Sequence, residues 1–389
     1  MLDYGRPITG SAPLDRWCRL KNRLITPVQF RLLDLFGGLP SVPPAAQLYA
    51  RAARRVVGGY LYSLKVELNN YCNLACRMCY VTAGKTELPR EQVLRLFGDI
   101  SGCGVRVELL GGEPLLVPGI AEVVREAKQR ARAPFVTLYT NGTAAEPGLC
   151  RELAAAGLDG AIVSLISHDP ETHDSFTGVP GAQARTLTGI RNFRAAGIRV
   201  YTFTAVHALN AEHVREINEL ARNDLDAHAI FYQYIPQVKD DPLQVQPERW
   251  AEVKHWALVE ENPEHEQFVR RFYELTGNAC SGGNFVLTVK VDGSVQPCPF
   301  ISDILLGNIA ENDIWTIYRD RFSHPSLVEF KSTPEECEPC AYKSACAGGC
   351  RAGNKTLHGT YARRDSRCLG PYGGPFLSSE LTDRAPSFF

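Results

Sequence analysis

The sequence carries almost no net charge. Its 42 Lys and Arg residues against 43 Asp and Glu leave −1 at pH 7, so no broad basic field addresses nucleic acid or an anionic membrane. No uncharged run approaches the ~20 residues that span a bilayer. The N-terminus lacks the basic end, apolar middle and small-residue cleavage site of a secretory signal. The chain is therefore expected in the cytoplasm, with no nucleic-acid and no membrane partner. Internal repeats and low-complexity segments are also missing. Apolar content of 44% and charged content of 22% are ordinary for a globular protein. A length of 389 residues allows more than one domain.

Cysteine, by contrast, is abundant: there are thirteen. A reducing compartment makes a disulfide framework a poor explanation and directs the thiols toward metal. Ten fall in organised spacings. Cys18, Cys103 and Cys150 stand alone and read as small, partly buried hydrophobes.

Residues 1–59 form a Pro-interrupted helical extension in which no chemistry is legible. From residue 60 strand and helix signals alternate. The strand candidates are Tyr62–Leu68, Arg106–Leu110, Phe135–Thr140, Ala161–Leu165, Val200–Val206 and Ala229–Tyr234, short and β-branched or aromatic as buried parallel strands are. Between them, Val93, Leu96, Phe97 and Ile100 repeat at helical spacing, as do Ile120, Val123, Val124 and Ala127, with Pro118 suited to a first turn. Leu187, Ile190 and Phe193 mark a further helix closed by Gly197, and Val214, Ile217 and Leu220 another. Six β/α units suggest an α/β parallel barrel lacking two of the usual eight; a doubly wound open sheet has the same periodicity. A polar tract from Pro236 to Glu266 reads as a boundary containing one amphipathic helix. A hairpin signal follows, Val286–Val291, then Asp292-Gly293, then Val295. The domains expected are 1–59, 60–265 and 266–389.

The chemistry-bearing residues fall where strands end, which is where a βα barrel places its site. Cys72-x3-Cys76-x2-Cys79 follows the first strand and Gly111-Gly112-Glu113-Pro114 the second. Asn141-Gly142 follows the third, Ser164 closes the fourth, Asn210 follows the fifth, and Gln233 lies near the end of the sixth. Three clustered thiolates can hold three corners of a 4Fe–4S cube and leave one iron open. Zinc also binds C-x2-C pairs, but it requires a fourth donor that is not nearby. Gly111 and Gly112 let backbone approach a ligand closely, and Glu113 offers a charged acceptor for an ammonium group.

The cysteine triplet followed by an aromatic, with Gly-Gly-Glu-Pro about thirty residues later, resembles the radical S-adenosylmethionine (SAM) superfamily. The resemblance implies a partial (β/α)6 TIM-like barrel and a 4Fe–4S cluster held by Cys72, Cys76 and Cys79. SAM would chelate the open iron, with Gly111, Gly112, Glu113, Pro114, Ser164 and Asn210 as its contacts. Reduction, by a donor such as flavodoxin or ferredoxin, would release methionine and a 5′-deoxyadenosyl radical that abstracts hydrogen. Relatives often carry Ser-Leu-Asp-Gly at the fourth strand; here the run is Ser164-Leu165-Ile166-Ser167-His168-Asp169, so the usual acid is displaced, and His168 and Asp169 read as loop residues.

The C-terminal third carries seven further cysteines: Cys280-x12-Gly293-x4-Cys298, Cys337-x2-Cys340-x5-Cys346-x3-Cys350, and Cys368 after seventeen more. This array resembles the cysteine-rich SPASM extension of radical SAM enzymes, which houses two auxiliary iron–sulfur clusters; structural zinc ribbons are the plainer reading. Carried over by position, Cys280, Cys298 and Cys350 would hold the first auxiliary cluster, and Cys337, Cys340, Cys346 and Cys368 the second. The first then lacks a fourth cysteine, which leaves that place to another residue, solvent or substrate, or makes the cluster 2Fe–2S.

Auxiliary clusters suit an oxidation in which a substrate radical loses an electron. The resemblance therefore implies a radical SAM oxidoreductase, first of all a peptide maturase in ribosomal natural-product biosynthesis. The alternative is a dehydrogenase, epimerase or dehydratase of a sugar, aminocyclitol or amino acid. Only about 60 residues precede the first strand, fewer than a leader-binding domain needs, so a separate protein would bind any leader peptide. Sulfatase-maturing relatives place an aspartate where Pro299 stands, which argues against formylglycine formation. Tyr232, Gln233, Tyr234 and His207 are further polar residues at the expected mouth, His207 reading first as a satisfied hydrogen-bonding residue.

Overall fold

The structure, a computed structural model, describes residues 61, 63–256, 280–284, 286–340 and 348–368. The expected N-terminal extension, Cys18 and Cys346 lie outside them. By their contacts the described residues form two compact units. The first is Leu61–Tyr234 with 286–321, and the second takes in 235–256, 280–284 and the described residues after Arg321.

The first unit is built on strands β1 (Ser63–Glu67), β2 (Arg106–Leu110), β3 (Val136–Thr140), β4 (Gly160–Ser164), β5 (Arg199–Val206) and β6 (His228–Gln233). Each lies parallel to the one before it. The order never reverses, so the sheet winds one way as a barrel does; a doubly wound sheet would switch direction. All six strands fall within a residue or two of the segments read from sequence. The helices between them are α1 (Arg90–Asp99), α2 (Ile120–Gln129), α3 (Pro147–Ala156), α4 (Pro170–Thr177), α5 (Ala182–Ala195) and α6 (Val214–Glu219). Sequence periodicity marked α1, α2, α5 and α6. It passed over α3 and α4, which begin on Pro147 and Pro170, prolines that suit a first helical turn. Pro118 sits before α2, ahead of the Gly119 N-cap, rather than inside its first turn.

Alternate residues of each strand face the helices. Leu64, Val66, Val107, Leu109, Val136, Leu138, Ala161, Val163 and Val200 are fully or almost fully buried there, each Leu or Val contributing ~1.5–3 kcal/mol. Val93, Leu96 and Phe97 of α1 and Val123, Val124 and Ala127 of α2 close over them.

The hairpin expected in residues 266–389 joins the same sheet. Strand β7 (Val286–Val289) runs parallel to β1 on the side away from β2, pairing Ser63 with Val286 and Val66 with Val289. Strands β8 (Ser294–Gln296) and β9 (Gly307–Asn308) continue it antiparallel. At the turn, Gly293 adopts φ 80° and the Lys290 N–H donates to the Ser294 carbonyl at 2.8 Å. Helix α8 (Ile314–Asp320) then packs on α1, its Trp315 Nε1 donating to the Asp99 carbonyl at 2.7 Å.

In the second unit lie α7 (Pro247–His255), the helix expected in the polar tract, with α9 (Pro325–Lys331) and α10 (Arg351–His358). No helix among the described residues is long and apolar enough to cross a membrane.

The opposite faces of β1, β2 and β3 carry a polar network. Lys65 Nζ donates to Glu108 Oε2 at 2.6 Å and to the Tyr139 hydroxyl at 3.3 Å, and Ser63 donates to the other Glu108 oxygen. Burial alone would raise the Glu108 carboxyl, but Lys65, Ser63 and Arg106 together hold it down to about 2. Its stabilisation is thus complete above the ordinary carboxyl value near 4.5 and is lost as pH falls toward 2. Removing one partner of a buried pair costs roughly 3–5 kcal/mol. Because Lys65 and Glu108 keep 19% and 15% of their side-chain exposure, Glu108→Gln is expected at the lower end of that range. Denaturant unfolding at neutral pH measures the loss, and the difference from the parent should shrink between pH 4.5 and 2.

Candidate functional site

The cysteine triplet lies on a loop whose two ends are zipped together. Leu88 N–H donates to the Leu68 carbonyl at 2.8 Å, Asn70 N–H to Thr86 at 3.1 Å, and Gly84 N–H to Asn70 at 3.0 Å. The loop's crown is pinned to the end of α4, where Ala75 and Arg77 N–H groups donate to the Thr177 and Phe176 carbonyls at 2.9 and 3.0 Å. Cys79 N–H closes a turn on the Cys76 carbonyl at 3.1 Å. Cys72 and Cys79 are exposed and Cys76 is half-buried. The Cys72 sulfur receives the Leu74 N–H at 3.4 Å and Asn141 Nδ2 at 3.6 Å, donors that suit a thiolate. Burial, followed by the charges of Cys72 and Cys79, pushes the Cys76 thiol up to about 12. The charge of Cys79 acts on both Cys72 and Cys76, so a cation beside the three sulfurs would favour their thiolates, the chemistry a metal would supply.

The Gly-Gly-Glu-Pro segment lies directly against this loop. Gly112 N–H donates to the Asn69 carbonyl at 2.8 Å and Glu113 N–H to the Tyr71 carbonyl at 2.9 Å. A Cβ on Gly112 would sit 2.2 Å from the Tyr71 oxygen, and one on Gly111 2.4 Å from Asn69 Oδ1. The glycines also give the close approach that the backbone carrying Cys72 requires. Glu113 is fully buried. Its carboxylate accepts the Leu115 N–H at 3.0 Å, the Thr140 hydroxyl at 2.6 Å and the Asn141 N–H at 2.7 Å. Burial raises it against the pull of these donors. Glu113 thus fastens the loop after β2 to the loop after β3, and Pro114 opens the short turn Pro114–Leu116 that it caps.

Ser164 is half-buried at the end of β4, in register with Phe203. Asn210 is fully buried. Its Oδ1 accepts the His207 N–H at 2.8 Å, and Nδ2 donates to Ile166 and Ala205 at 2.8 and 2.9 Å. Both amide hydrogens join the ends of β4 and β5. His207 is half the satisfied histidine that was expected. Nδ1 accepts the Leu209 N–H at 3.2 Å, and the ring stacks on Phe176 at 4.2 Å, but Nε2 is buried without a hydrogen-bond partner among the described residues. Burial, with the Arg77 charge, lowers its pKa to about 4. Asp169 caps α4 through the Thr172 N–H at 2.7 Å. His168 packs 5.2 Å from His213.

Of the concave face's lining, the sequence marks Tyr232 but not Tyr139 or Phe203. Tyr139, Phe203 and Tyr232 form a continuous aromatic wall. Tyr139 meets Phe203 edge-on at 5.8 Å, and Phe203 stacks on Tyr232 at 3.9 Å. Tyr139 and Phe203 touch across the intervening β4, although alternate strands lie about 9–10 Å apart in a flat sheet. This face is therefore curved inward. Tyr232 reaches the cysteine loop, its hydroxyl 3.7 Å from Met78 Sδ. Glu67, almost fully buried, pairs with Lys290, whose Nζ lies 5.0 Å over the Tyr80 ring. Tyr80 in turn meets Phe300 at 4.7 Å. The signal was present in Ser63-Leu64-Lys65-Val66-Glu67, where polar residues alternate with apolar ones in a strand that should be buried on both faces.

Among the remaining cysteines, Cys103 and Cys150 are buried in the first unit as small hydrophobes. Cys298 follows β8 in that unit. In the second unit Cys337 ends a short turn and its carbonyl accepts the Cys340 N–H at 3.0 Å. Cys350 caps α10, and Cys368 N–H donates to the Asp365 carbonyl at 3.0 Å. Asp365 is the centre of this segment: Oδ2 accepts the Cys350 N–H at 3.0 Å, and Arg367 grips both oxygens at 2.9 Å.

Residues 66–221 match the radical SAM superfamily, and residues 280–346 match the SPASM iron–sulfur cluster-binding domain. The chain is 29% identical over 336 residues to the AdoMet-dependent heme synthase of Methanosarcina barkeri, covering 78% of this chain and 95% of that protein. It is 26% identical over 338 residues to the PqqA peptide cyclase of Rhizobium meliloti, covering 79% and 86%. In fold it is similar to Streptococcus suis SuiB bound to precursor peptide SuiA, with a TM-score of 0.64 and 15% identity over 92% of this chain and 90% of that one.

A methyl group on Gly112 has no room beside the Tyr71 carbonyl. Gly112→Ala is expected to cost at least the ~1–3 kcal/mol of an overpacked site, measured as a lower midpoint in denaturant. An unchanged midpoint would show that the two loops do not depend on this contact.

Proposed function

Because the chain belongs to the radical SAM superfamily and carries a SPASM iron–sulfur domain, we propose that it oxidises a peptide substrate, with Cys72, Cys76 and Cys79 holding the SAM-binding 4Fe–4S cluster. The observation behind this reading is the cysteine loop itself. It is latched by backbone to Gly112 and Glu113 at the strand ends that border the concave face of the barrel. When bound, the cluster and SAM supply a 5′-deoxyadenosyl radical that takes hydrogen from the substrate.

The chain's own residues prepare that step. Leu74 N–H and Asn141 Nδ2 hold the Cys72 sulfur in place. Gly111, Gly112, Glu113 and Pro114 present the loop edge against which SAM binds, and Ser164 lies within the same row of strand ends. Asn210 serves indirectly, by holding that row together. The aromatic wall of Tyr139, Phe203 and Tyr232 packs against the substrate and excludes water. Cys280, Cys298 and Cys350 would hold one auxiliary cluster, and Cys337, Cys340, Cys346 and Cys368 the other, sites able to accept one electron from a substrate radical. A flavodoxin or ferredoxin reduces the enzyme in the cytoplasm.

The peptide reading is supported by the PqqA peptide cyclase relative. A second reading, oxidation of a small molecule, is favoured by the higher identity to AdoMet-dependent heme synthase. Anaerobic turnover with SAM and a reductant, followed by mass spectrometry of candidate peptides, sugars and tetrapyrroles, separates the two. A peptide that loses hydrogen supports the first; turnover confined to small molecules overturns it. Replacing Cys72, Cys76 and Cys79 together by alanine is expected to abolish 5′-deoxyadenosine formation while leaving the auxiliary iron. Retained cleavage would sink the cluster assignment.

A further inference from the structure

The concave face of the sheet keeps solvent access that a packed barrel interior would not have. On its central strands Glu108, Tyr139, Ile162, Ser164 and Phe203 are half-buried. Their neighbours along the same strands, Leu109, Leu138, Val163 and Thr202, are fully buried. Successive strand residues point to opposite faces, so the open side is the inner one. That side is divided in two. Towards β1 and β2, Lys65 and Glu108 are paired at 2.6 Å; from β3 to β6 stand the rings of Tyr139, Phe203 and Tyr232. Tyr139 is the seam: its hydroxyl accepts from Lys65 Nζ at 3.3 Å, and its ring centre lies 4.5 Å from the same ammonium. Ser164, in register with Phe203, is small, which leaves room for Tyr139 to meet that ring across β4.

Two donors on this face are underused. The Tyr232 side chain is half-buried, and its hydroxyl has one partner among the described residues, the Met78 thioether at 3.7 Å. Thioether sulfur is a weak acceptor, and a tyrosine hydroxyl withdrawn from water ordinarily finds a better one. Burial, followed by the charges of Tyr139 and Cys76, raises the Tyr232 pKa, so the phenol keeps its proton. Lys65 has three N–H groups and spends two of them, on Glu108 and Tyr139. Rings that only filled a core would be sealed, and their hydroxyls satisfied from within. Neither condition holds here.

We propose that Phe203 and Tyr232 are specificity-determining residues of the chamber, which takes a planar conjugated group with an acceptor oxygen at its edge. The planar group stacks along the aromatic wall, and the oxygen accepts the Tyr232 O–H. The spare Lys65 N–H stands at the Tyr139 end of the wall and suits a second acceptor. All this rests on the reading above, in which the concave face receives the substrate, and narrows that substrate to a class. A saturated ring or an aliphatic side chain would forgo the stacking that aromatic pairs add beyond buried area. Two sources have the required chemistry: an aromatic side chain beside a peptide carbonyl, and a conjugated macrocycle bearing carboxylates.

The test is equilibrium dialysis on anaerobic holoenzyme with SAM present and reductant absent, so that binding is read without turnover. The probes are a blocked pentapeptide with a central tyrosine, the same peptide with a central leucine, coproporphyrin III and glucuronic acid. The tyrosyl peptide or the porphyrin is expected to bind about tenfold more tightly than the leucyl peptide and the sugar acid; which of the two does so identifies the source. Tyr232→Phe keeps the ring and removes the hydroxyl, and is expected to weaken the preferred probe about fivefold. Phe203→Leu keeps apolar bulk and removes the ring, with an expected loss of about tenfold for the planar probe and none for the leucyl peptide. Failure of both planar probes to bind, equal binding of all four, or a preferred probe indifferent to both substitutions overturns the proposal. Should Phe203→Leu fail to fold, the nearly isosteric Tyr232→Phe and the ranking on the parent enzyme decide. Addition of reductant separates the two levels. A planar probe that binds as expected but is not oxidised counts against the reaction and not the chamber; oxidation of a saturated substrate while the planar probes stay unbound does the reverse.

Discussion

The close approach of Gly112 to the Tyr71 carbonyl is the constraint on which the site depends. Two loops, one after β1 and one after β2, must meet with backbone against backbone, because the hydrogen bonds from Gly112 and Glu113 run to Asn69 and Tyr71 carbonyls. A side chain between them would separate the loops by more than a hydrogen bond can span. Once they meet, Glu113 is sealed from water, and its carboxylate can only be satisfied by donors at the same strand ends. Thr140 and Asn141 supply them, and Asn141 then turns its amide toward Cys72. One steric condition thus extends through three loops to the sulfur.

The concave face follows a different rule. Barrel interiors are usually filled by branched apolar side chains; here Lys65, Glu67 and Glu108 lie beside aromatic rings. Each charge survives burial only because it is paired: Lys65 with Glu108, Glu67 with Lys290. Such pairs contribute little net stability compared with apolar packing of the same volume. Their presence keeps this face polar and ties its strands to one another through side chains.

Much of this was legible from the order of residues. The six parallel strands, four of the helices and the cysteine loop announce themselves because a buried strand must be apolar on its helix-facing side and a loop at its end is free to vary. What stayed hidden depended on partners distant in sequence. Nothing around Glu113 says that its oxygens accept from Thr140 and Asn141. Nothing around Asn210 says that it bridges Ile166 and Ala205. The Asp292-Gly293 turn foretold a hairpin but not that β7 would lie parallel to β1, more than two hundred residues away. Parallel pairing leaves no turn in the sequence to mark it.

That pairing has a consequence for chemistry. Strand β1 is hydrogen-bonded on one side to β2 and on the other to β7, so a single register sets three loop positions. The cysteine loop leaves the end of β1, its latch leaves β2, and Lys290 leaves β7 to reach Glu67 beneath the Tyr80 ring. The chain then returns through β8 to Cys298 and Phe300, and Phe300 meets the same Tyr80. The residue after Cys79 therefore touches the residue two beyond Cys298. A shift of β7 by one residue would turn Lys290 to the opposite face of the sheet, breaking the pair with Glu67 and the contact with Tyr80 together. Under the proposed ligand set, the strand that builds the radical-generating end also positions Cys298, one of the auxiliary sulfurs, so the two are fixed by one stretch of backbone rather than by independent folding of separate loops.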